Sequence, residues 1–456
     1  MHLIGIGGCG MQGLACFLQA RGARVTGSDL SPGVAAERLR REGVRVLAGH
    51  AAENLPVDAD SVVISRAIPA DNAEWAEARR RGLRVETYSQ ALGRLVRGHR
   101  GTAIGVAGTH GKTTTSAWLT HMLLLGGRDP SCIVGGVLRD LDASVRVGRG
   151  GEFVVEACEF GGSFLDLRPA IGVILNVGDD HQECYGTREG VRQAFGRFAR
   201  TLPAAGLLVI PWQLQEEVGR WGVQARVLPV DPAGERGTGG EGYVLRPGRT
   251  EVSGELELLR DGEPVVPALR CGLSGRFSLA NLAFAAAVAC EVGVAPAAIR
   301  ESAASFRGVR RRYENLGTFR GVTVIDDYAH HPAEVEAVVS AARVQFAERR
   351  LHVLFEPHQY RRLKEYLPDF ARELSAADQV FITDVFAARE RPEDWRGIGP
   401  EDLVEAIRGR RGQARFVSLE NVPELLPGGL ESGDVLLALG AGRSSEVAHA
   451  LVRALH

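Results

Sequence analysis

The chain has 456 residues and a formal net charge of -2, with 54 basic and 56 acidic side chains. This balance excludes bulk affinity for nucleic acid or an anionic membrane surface, so any phosphate binding has to be local. The lack of a signal-peptide pattern and of a long apolar run predicts a cytoplasmic protein without membrane insertion, and seven scattered cysteines without a CxxC pair argue against a disulfide framework. The length predicts about three domains.

The first hundred residues alternate short apolar strands with amphipathic helices. The strand HLI runs into Gly5-x-Gly7-x-x-Gly10, a helix is predicted over residues 11–21, and an acid follows at Asp29. These glycines allow a tight turn, close approach of the backbone to a pyrophosphate, and helix packing. The pattern leaves open whether the loop binds NAD or another diphosphate. Further strands are predicted at 23–29, 44–50 and 61–69, with a helix over 33–42, as in a parallel sheet of βαβ units.

A second series of strands begins with TAIGVA, which enters a Gly-rich turn and then a helix. The turn reads Gly108-Thr-His-Gly111-Lys112-Thr113, although Val106 prevents a strict match to the P-loop pattern. Backbone N–H groups and the helix N-terminus can surround a phosphate, Lys112 can neutralise it, and Thr113 can hold Mg2+. We therefore expect ATP or GTP at this turn.

Two polar residues follow neighbouring strands of the second series. Glu156 ends the strand EFVVE, and His181 comes shortly after the strand AIGVILN. Because open α/β sheets bind ligands at the carboxyl ends of their strands, both side chains could face the nucleotide loop and bind a metal. Taken singly, each is more often an ordinary polar residue at a strand end.

The remainder of the chain predicts the end of the second domain and a third α/β domain. Residues 231–242 are rich in Gly and charge and predict a mobile loop, and residues 251–271 predict short strands. Residues 278–304 predict two helices, and from residue 315 onward apolar strands again alternate with helices. The expected domains are 1–98, 99–314 and 315–456, in an α/β chain with a Rossmann-like first domain, a central P-loop-type ATPase sheet and a Rossmann-like third domain.

Taken together, these segments resemble the Mur ligases, in order and with near-matching spacing from Met1 to about Gly442. The resemblance implies an ATP-dependent ligase that joins an amino acid, L-alanine in the nearest pattern, to the carboxylate of UDP-N-acetylmuramate through an acyl phosphate. The matching segments are GIGGCGM, GSDL, AGTHGKTTT, EA-x-E-x-x-x-SFL from Glu156, N-x-x-x-DH from Asn176, RRRY, DDYAHHP, PHQY and DVFAARE.

The resemblance also assigns roles by position, with Mg2+ as the metal and a UDP-sugar diphosphate in place of NAD at the first loop. The catalytic residues would be Lys112, Glu156, His181 and Arg312, and the metal ligands Thr113, Glu156 and His181. ATP would be bound by Gly108, Thr109, His110, Gly111, Lys112, Thr113, Thr114, Asn281, Arg312, Asp327, Tyr328 and His330. The other substrates would be bound by Gly7, Gly8, Cys9, Gly10, Asp29, His50, Ser65, Asn176, His358 and Arg362, with His358 and Arg362 near the amino acid.

Several positions depart from the family pattern and affect the nucleotide, metal and amino-acid pockets. They leave fewer carboxylates around the metals and one cation fewer for the amino acid's carboxylate, so the choice of amino acid stays open. The departures are Cys158 and Phe160 for Asp and Ser, Gly178 for Glu, Phe277 and Ser278 for His and Asn, Gln359 for Arg, and Arg443 for an acid.

Three alternatives remain beside an amino-acid ligase. A recycling ligase would add a whole peptide to the same nucleotide sugar, and a non-catalytic descendant would bind that sugar without turnover. A nicotinamide-dependent dehydrogenase would place Asp29 on a ribose hydroxyl, but it leaves the second nucleotide loop and the third domain unexplained. The sequence also leaves open whether the chain forms a homodimer.

Overall fold

The computed structural model describes residues 1–178, 182–237, 240–248, 254–388, 390 and 395–455. It separates into two compact units, one formed by residues 1–272 and 279–307 and the other by residues 273–278 and 308–456. Three sheets lie within these units, and the predicted three-part α/β architecture is confirmed. The boundaries at 98/99 and 314/315 stay predictions. Within the described residues no helix is long and apolar enough to cross a membrane.

The N-terminal sheet has five parallel strands in the order β3-β2-β1-β4-β5. This order places the glycine loop after β1 at the centre of the sheet, where the strand order reverses and α/β sheets bind ligands. The Rossmann-like prediction is thereby confirmed. The elements are β1 His2–Ile4, α1 Cys9–Ala20, β2 Thr26–Asp29, α2 Gly33–Arg41, β3 Arg45–Ala48, β4 Ser61–Ile64, α3 Ala73–Arg80, β5 Arg84–Thr87 and α4 Tyr88–Arg97.

The central sheet has ten strands in the order β15-β14-β13-β12-β11-β10-β6-β9-β7-β8. Strand β6, which leads into the second glycine turn, lies between the parallel strands β9 and β10. The elements are β6 Thr102–Ala107, α5 Lys112–Leu125, β7 Ser131–Leu138, β8 Ala143–Arg146, β9 Glu152–Glu156, β10 Ile171–Ile174, α6 Gln182–Tyr185, α7 Arg188–Arg200, β11 Leu207–Pro211, α8 Gln215–Arg220, β12 Arg226–Asp231, β13 Tyr243–Pro247, β14 Leu256–Arg260, β15 Glu263–Leu269, α9 Arg276–Glu291 and α10 Pro296–Ser305.

The later elements of this sheet follow the sequence closely. The short strands predicted over 251–271 are β14 and β15, and the two predicted Ala-rich helices are α9 and α10. Residues 231–242 connect β12 to β13, with 238–239 outside the described residues, and their mobility stays a prediction. In the core of the first unit, Phe17 on α1 stacks on Phe153 on β9 with ring centroids 5.0 Å apart, so the two sheets share a hydrophobic cluster.

The third sheet has six strands in the order β16-β17-β21-β18-β19-β20, and β16 alone runs antiparallel to its neighbour. Its two faces are covered by separate apolar clusters, as expected for a doubly wound sheet. The elements are β16 Glu314–Phe319, β17 Val322–Asp327, α11 Pro332–Gln345, β18 Leu351–Phe355, α12 Tyr360–Glu365, α13 Leu367–Leu374, β19 Gln379–Ile382, α14 Pro400–Gly409, β20 Ala414–Phe416, α15 Val422–Leu425, β21 Val435–Leu439 and α16 Ser444–Leu455.

Candidate active site

The turn between β6 and α5 has the backbone that a phosphate loop requires. Gly108 and Gly111 adopt φ angles of 144° and 84°, a region that favours glycine. A Cβ on Gly111 would overlap the Asn281 side-chain oxygen, so no larger residue fits there. Gly111 also caps the 14-residue helix α5, whose first N–H groups therefore point into the turn.

Lys112 is bound by the loop that it belongs to. Its Nζ donates to the carbonyls of Gly108 at 2.5 Å and Thr109 at 2.9 Å, and it pairs with Glu159 at 2.9 Å. Burial lowers the pKa of Lys112, but the Glu159 carboxylate, together with the charges of Cys158 and Glu156, more than offsets this and the pKa is raised. The ammonium is therefore held charged beside the helix N-terminus.

Lysine is rare in this chain, which makes its use in the turn notable. The sequence contains two lysines, Lys112 and Lys364, and every other basic side chain apart from histidine is arginine. Lys364 is exposed, whereas the Lys112 side chain is 13% exposed. An ammonium is a compact point charge that fits a tight phosphate loop, whereas a guanidinium is a broad planar fork.

Glu159 has no predicted role, yet it is the acidic partner of the predicted catalytic lysine. It is buried, and two neighbours fix the loop that carries it. Arg66 donates to the Gly161 carbonyl at 2.5 Å, and the Tyr185 hydroxyl donates to the Glu159 carbonyl. Gly161 has a φ of 57°, a backbone conformation that favours glycine, and a Cβ there would also displace the Arg66 guanidinium. The EA-x-E spacing contained Glu159, but spacing alone does not show which carboxylate meets the lysine.

Asn176 braces the phosphate loop from the adjacent strand β10. Its Oδ1 accepts from the His110 N–H at 2.9 Å, and its Nδ2 donates to the His110 carbonyl at 3.1 Å. The Thr109 hydroxyl accepts from the Gly178 N–H at 2.8 Å, where a side chain on residue 178 would crowd Thr109. The structure thus ties Asn176 to the ATP loop, and its substrate contact stays a prediction.

The predicted metal ligands are only partly described. Thr113 lies in the first turn of α5, and Glu156 ends β9 beside β6, where its Oε2 accepts from the Gly135 N–H at 2.8 Å. His181 lies outside the described residues. Among the described residues, those at this turn included, no group of three His, Cys, Asp or Glu could hold a metal ion. One carboxylate and one hydroxyl next to a phosphate loop suit Mg2+, which keeps several waters and binds phosphate oxygens.

Asn281 contacts the same loop from helix α9. Its Oδ1 accepts from the Thr115 hydroxyl at 3.1 Å and lies against Gly111. Asn281 therefore supports the first turn of α5 from the side, and its contact with adenine stays a prediction. Thr114 lies between the two contacted residues and is half-buried.

The first glycine loop is fixed by Asp29 at the end of β2. Its carboxylate accepts from the Gly7 N–H at 2.8 Å and from the Ser31 N–H at 3.0 Å. Gly8 caps the 12-residue helix α1 without a side-chain cap, so the first N–H groups of α1, beginning with those of Cys9 and Gly10, are available to an anion. Asp29 shapes the loop directly, and its uridine contact stays a prediction.

Glu74 on α3 is the second residue that sequence reasoning missed. It is fully buried and accepts hydrogen bonds from three separate strand ends and turns. Burial raises the pKa of Glu74, but hydrogen bonds from His2, Ser28 and Asn54 lower it to about 2. Its contacts are His2 Nε2 at 2.9 Å, Ser28 Oγ at 2.6 Å, Asn54 Nδ2 at 2.9 Å, Ala51 N at 3.2 Å and His50 Nδ1 at 3.3 Å.

This network fixes the predicted substrate residue His50, which follows β3 at the carboxyl edge of the sheet. Ser65, predicted for the same pocket, follows β4 and donates its N–H to the Ile4 carbonyl at 3.0 Å. The sequence AEWAEARR gave no signal for Glu74, because an acid in the first turn of a helix is usually solvated.

The second unit brings together predicted residues from three separate segments. Asp327, at the end of β17, accepts from the N–H groups of Tyr313 at 2.6 Å and Ala329 at 2.7 Å. Burial raises the pKa of Asp327 to about 7, although Arg312 and these N–H groups oppose the rise. The Arg312 guanidinium lies 5.0 Å from the centroid of the Tyr328 ring.

His330 of DDYAHHP and His358 of PHQY lie together in the same unit. The His330 ring is 5.2 Å from both the Tyr328 and the His358 rings, and Arg362 Nη1 lies 3.1 Å from His358 Nδ1. Gln359, one of the departures, adopts a φ of 68°, so its backbone is strained between β18 and α12. Arg362 and the imidazoles of His330 and His358 therefore lie together at the carboxyl edge of the third sheet.

Two aromatic departures have structural partners. Phe160 lies 5.9 Å from the Arg66 guanidinium, and Phe277 packs edge-on against Tyr313 with ring centroids 6.0 Å apart. The Ser278 hydroxyl donates to the Ser274 carbonyl at 2.6 Å. These residues therefore fill packing roles in the places where the family pattern has polar groups.

Three family models match successive parts of the chain. They are the Mur ligase family, catalytic domain over residues 1–100, the Mur ligase middle domain over 106–289, and the Mur ligase, glutamate ligase domain over 311–442. Among curated proteins, the UDP-N-acetylmuramate--L-alanine ligase of Acidithiobacillus ferrooxidans is 38% identical over 98% of this chain and 96% of that protein. The enzyme of the same name from Carboxydothermus hydrogenoformans is 36% identical over 99% and 96%.

Solved structures of proteins from the same family also match this chain. UDP-N-acetylmuramate-alanine ligase MurC from Thermotoga maritima matches with a TM-score of 0.81 and 26% identity, over 99% of this chain and 98% of that one. A murein peptide ligase from Psychrobacter arcticus matches with a TM-score of 0.74 at 23% identity, over 100% and 98%, which shows the shared fold.

Proposed function

This chain belongs to the Mur ligase family, and from that premise we propose that it joins L-alanine to the carboxylate of UDP-N-acetylmuramate, converting ATP to ADP and phosphate. The relatives that are 36% and 38% identical over nearly their full length are named UDP-N-acetylmuramate--L-alanine ligase. The cofactors are ATP and Mg2+. A cytoplasmic location and a homodimer stay predictions.

The observation that carries the proposal is the pair of glycine loops in the first unit. One follows β1 and caps α1, and the other follows β6 and caps α5 with Lys112 beside it. Each helix N-terminus offers N–H groups to an anion. A ligase of this type needs two such loops, because both the nucleotide sugar and ATP carry a phosphate chain.

The first chemical step is transfer of a phosphoryl group. A carboxylate oxygen of the sugar's lactyl group attacks the γ-phosphorus of ATP, the bond to the bridging oxygen breaks, and ADP leaves. Lys112 neutralises the charge on the phosphate chain, and the amides at the start of α5 orient it. Thr113 and Glu156 are the described residues that would hold Mg2+, which lowers the repulsion between the two anions.

In the second step the neutral amine of the amino acid attacks the acyl carbon. A tetrahedral intermediate forms, loses a proton from nitrogen and expels phosphate, which leaves the amide. His358 and Arg362 would bind the amino acid's carboxylate, because a guanidinium forms paired hydrogen bonds with a carboxylate. Gln359 beside them supplies a neutral amide in place of a second cation.

Measurement of phosphate release tests the proposal. The full chain is incubated with ATP, Mg2+ and UDP-N-acetylmuramate and with each amino acid in turn, and a tripeptide serves as the second substrate of the recycling alternative. We expect release that requires both the sugar and L-alanine. Lys112→Ala should abolish it, whereas Lys364→Ala, which removes the chain's other lysine from an exposed position, should not. Phosphate release that occurs with the tripeptide but not with L-alanine as the second substrate would instead support the recycling ligase.

A further inference from the structure

The first unit contains a basic crevice at the edge of the central sheet opposite the ATP loop. A cavity of about 560 Å³ lies where residues 98–101, which link α4 to β6, pass residues 147–151, which link β8 to β9. Arg21, at the end of α1, completes the lining. Strand β6 separates this edge from the phosphate loop by about 20 Å, since it has six residues and each adds about 3.3 Å.

The lining contains no carboxylate. Arg21, Arg100, Arg149 and His99 supply the charged and titratable groups, and most of the other lining residues are glycine. Within the described residues the three guanidiniums form no ion pair, although Arg146 nearby pairs with Asp129. Asp129 also accepts from the Arg149 N–H at 2.8 Å, and the charges of Arg146 and Arg149 help to lower the pKa of Asp129.

Buried aromatic rings fix the walls of the crevice. The Arg21 guanidinium lies 5.2 Å from the Phe17 ring, Phe17 stacks on Phe153, and the His99 ring lies 5.5 Å from Phe153. His99 Nε2 is 3.0 Å from the Gly151 carbonyl, which ties the two glycine-rich segments together. These contacts fix Arg21 and the backbone between His99 and Gly151, while the Arg100 and Arg149 side chains are exposed beside them.

Glycine is required where these segments meet. A Cβ on Gly101 would overlap the Gly151 carbonyl, and a Cβ on Gly148 would overlap the Asp129 carbonyl. The Thr102 N–H donates to the same Gly151 carbonyl at 2.7 Å. Close packing of the backbones leaves the arginine side chains as the groups that project into the crevice.

We propose that this crevice binds a small anion with a diphosphate or longer phosphate chain. Three arginines line the crevice and can form paired, charge-assisted hydrogen bonds with phosphate oxygens. The crevice is open to solvent, and its volume of about 560 Å³ suits a small molecule. A ligand there would contact both Arg21, at the end of α1, and residues 98–101, which link the first sheet to the second. Helix α1 begins at the diphosphate loop.

Hydrogen–deuterium exchange of the full chain with inorganic pyrophosphate tests the proposal. We expect concentration-dependent protection of residues 98–101 and 147–151. In Arg100→Ala/Arg149→Ala the apparent Kd for this protection should rise at least tenfold, while any protection of the turn at 108–113 stays unchanged. This proposal does not depend on the proposed ligase activity, because the readout is local binding.

The matched control removes the same charge elsewhere. Arg410→Ala/Arg453→Ala changes two exposed arginines of the second unit and should leave the crevice Kd within twofold of wild type. A parallel titration with ADP distinguishes a free phosphate chain from a nucleotide, and protection by either supports the site. Absence of protection by both ligands, or an equal loss in both double variants, would overturn the proposal.

Discussion

Replacing the buried Glu74 by glutamine is expected to loosen the N-terminal sheet in a pH-dependent way. The variant keeps the size of the side chain but removes the charge that accepts hydrogen bonds from His2, Ser28 and Asn54. These bonds lower the pKa of Glu74 from 4.5 to about 2 although burial opposes them. A gap of about 2.5 pH units corresponds to about 3 kcal/mol.

The sign of the pH effect follows from linkage. A carboxyl group whose pKa is lower in the folded state stabilises the fold above its unfolded pKa of 4.5, and this stabilisation is lost as the pH falls toward 2. Hydrogen exchange at the amides of β1, β2 and β4 should therefore be about 300-fold faster in Glu74→Gln at pH 7, and about 30-fold faster at pH 3.5, after correction for intrinsic rates.

The control for this experiment is Glu53→Gln, which changes an exposed carboxylate of the same domain and should leave exchange unaltered. Because Glu74 also holds Ala51 and His50, the variant should raise the KM for the nucleotide sugar more than it lowers kcat. Equal protection in wild type and Glu74→Gln, or a ratio that does not change between pH 7 and pH 3.5, would refute the reasoning.

Three further changes test other parts of the molecule. Glu159→Gln removes the largest of the charges that oppose the effect of burial on Lys112, so the pKa of the lysine falls, and phosphate release at pH 7 should fall at least tenfold. Asp327→Asn removes a carboxyl whose pKa is raised from 3.8 to about 7, so the stability of the wild type falls as the pH rises through that range. In thermal unfolding the variant should therefore have a higher Tm than the wild type at pH 8 and the same Tm near pH 4. Gly161→Ala should lower Tm because Gly161 has a φ of 57°, where an alanine is strained by about 1 kcal/mol, and adding Arg66→Ala should restore little of the loss; an unchanged Tm in the single variant would contradict this backbone strain.

The elements with strong local signals could be predicted from the sequence. Gly108 and Gly111 adopt positive φ angles that favour glycine, so the glycines themselves indicate the phosphate loop and the start of the helix after it. The alternation of apolar strand segments with helical segments along the chain predicts the three α/β sheets. The strand ends then placed Glu156 and Asp327 at the ligand-binding edges of their sheets.

The partners of these residues could not be predicted, because they are set by tertiary packing. Glu159 meets Lys112 only because β9 lies beside β6 in the sheet, and the chain separates the two residues by 47 positions. Glu74 and Glu77 share one short helix, yet the first is buried against two strands and the second pairs with arginines at the surface. Local pattern does not distinguish two such acids.

Isotope transfer from the sugar to phosphate tests the proposed ligase mechanism most directly. UDP-N-acetylmuramate labelled with 18O in its lactyl carboxylate is incubated with the protein, ATP, Mg2+ and L-alanine, and the released phosphate is examined by mass spectrometry. Attack of the carboxylate on the γ-phosphorus predicts one 18O atom in each phosphate released. Phosphate that carries no 18O, with amide product formed at the same rate, would contradict an acyl-phosphate mechanism.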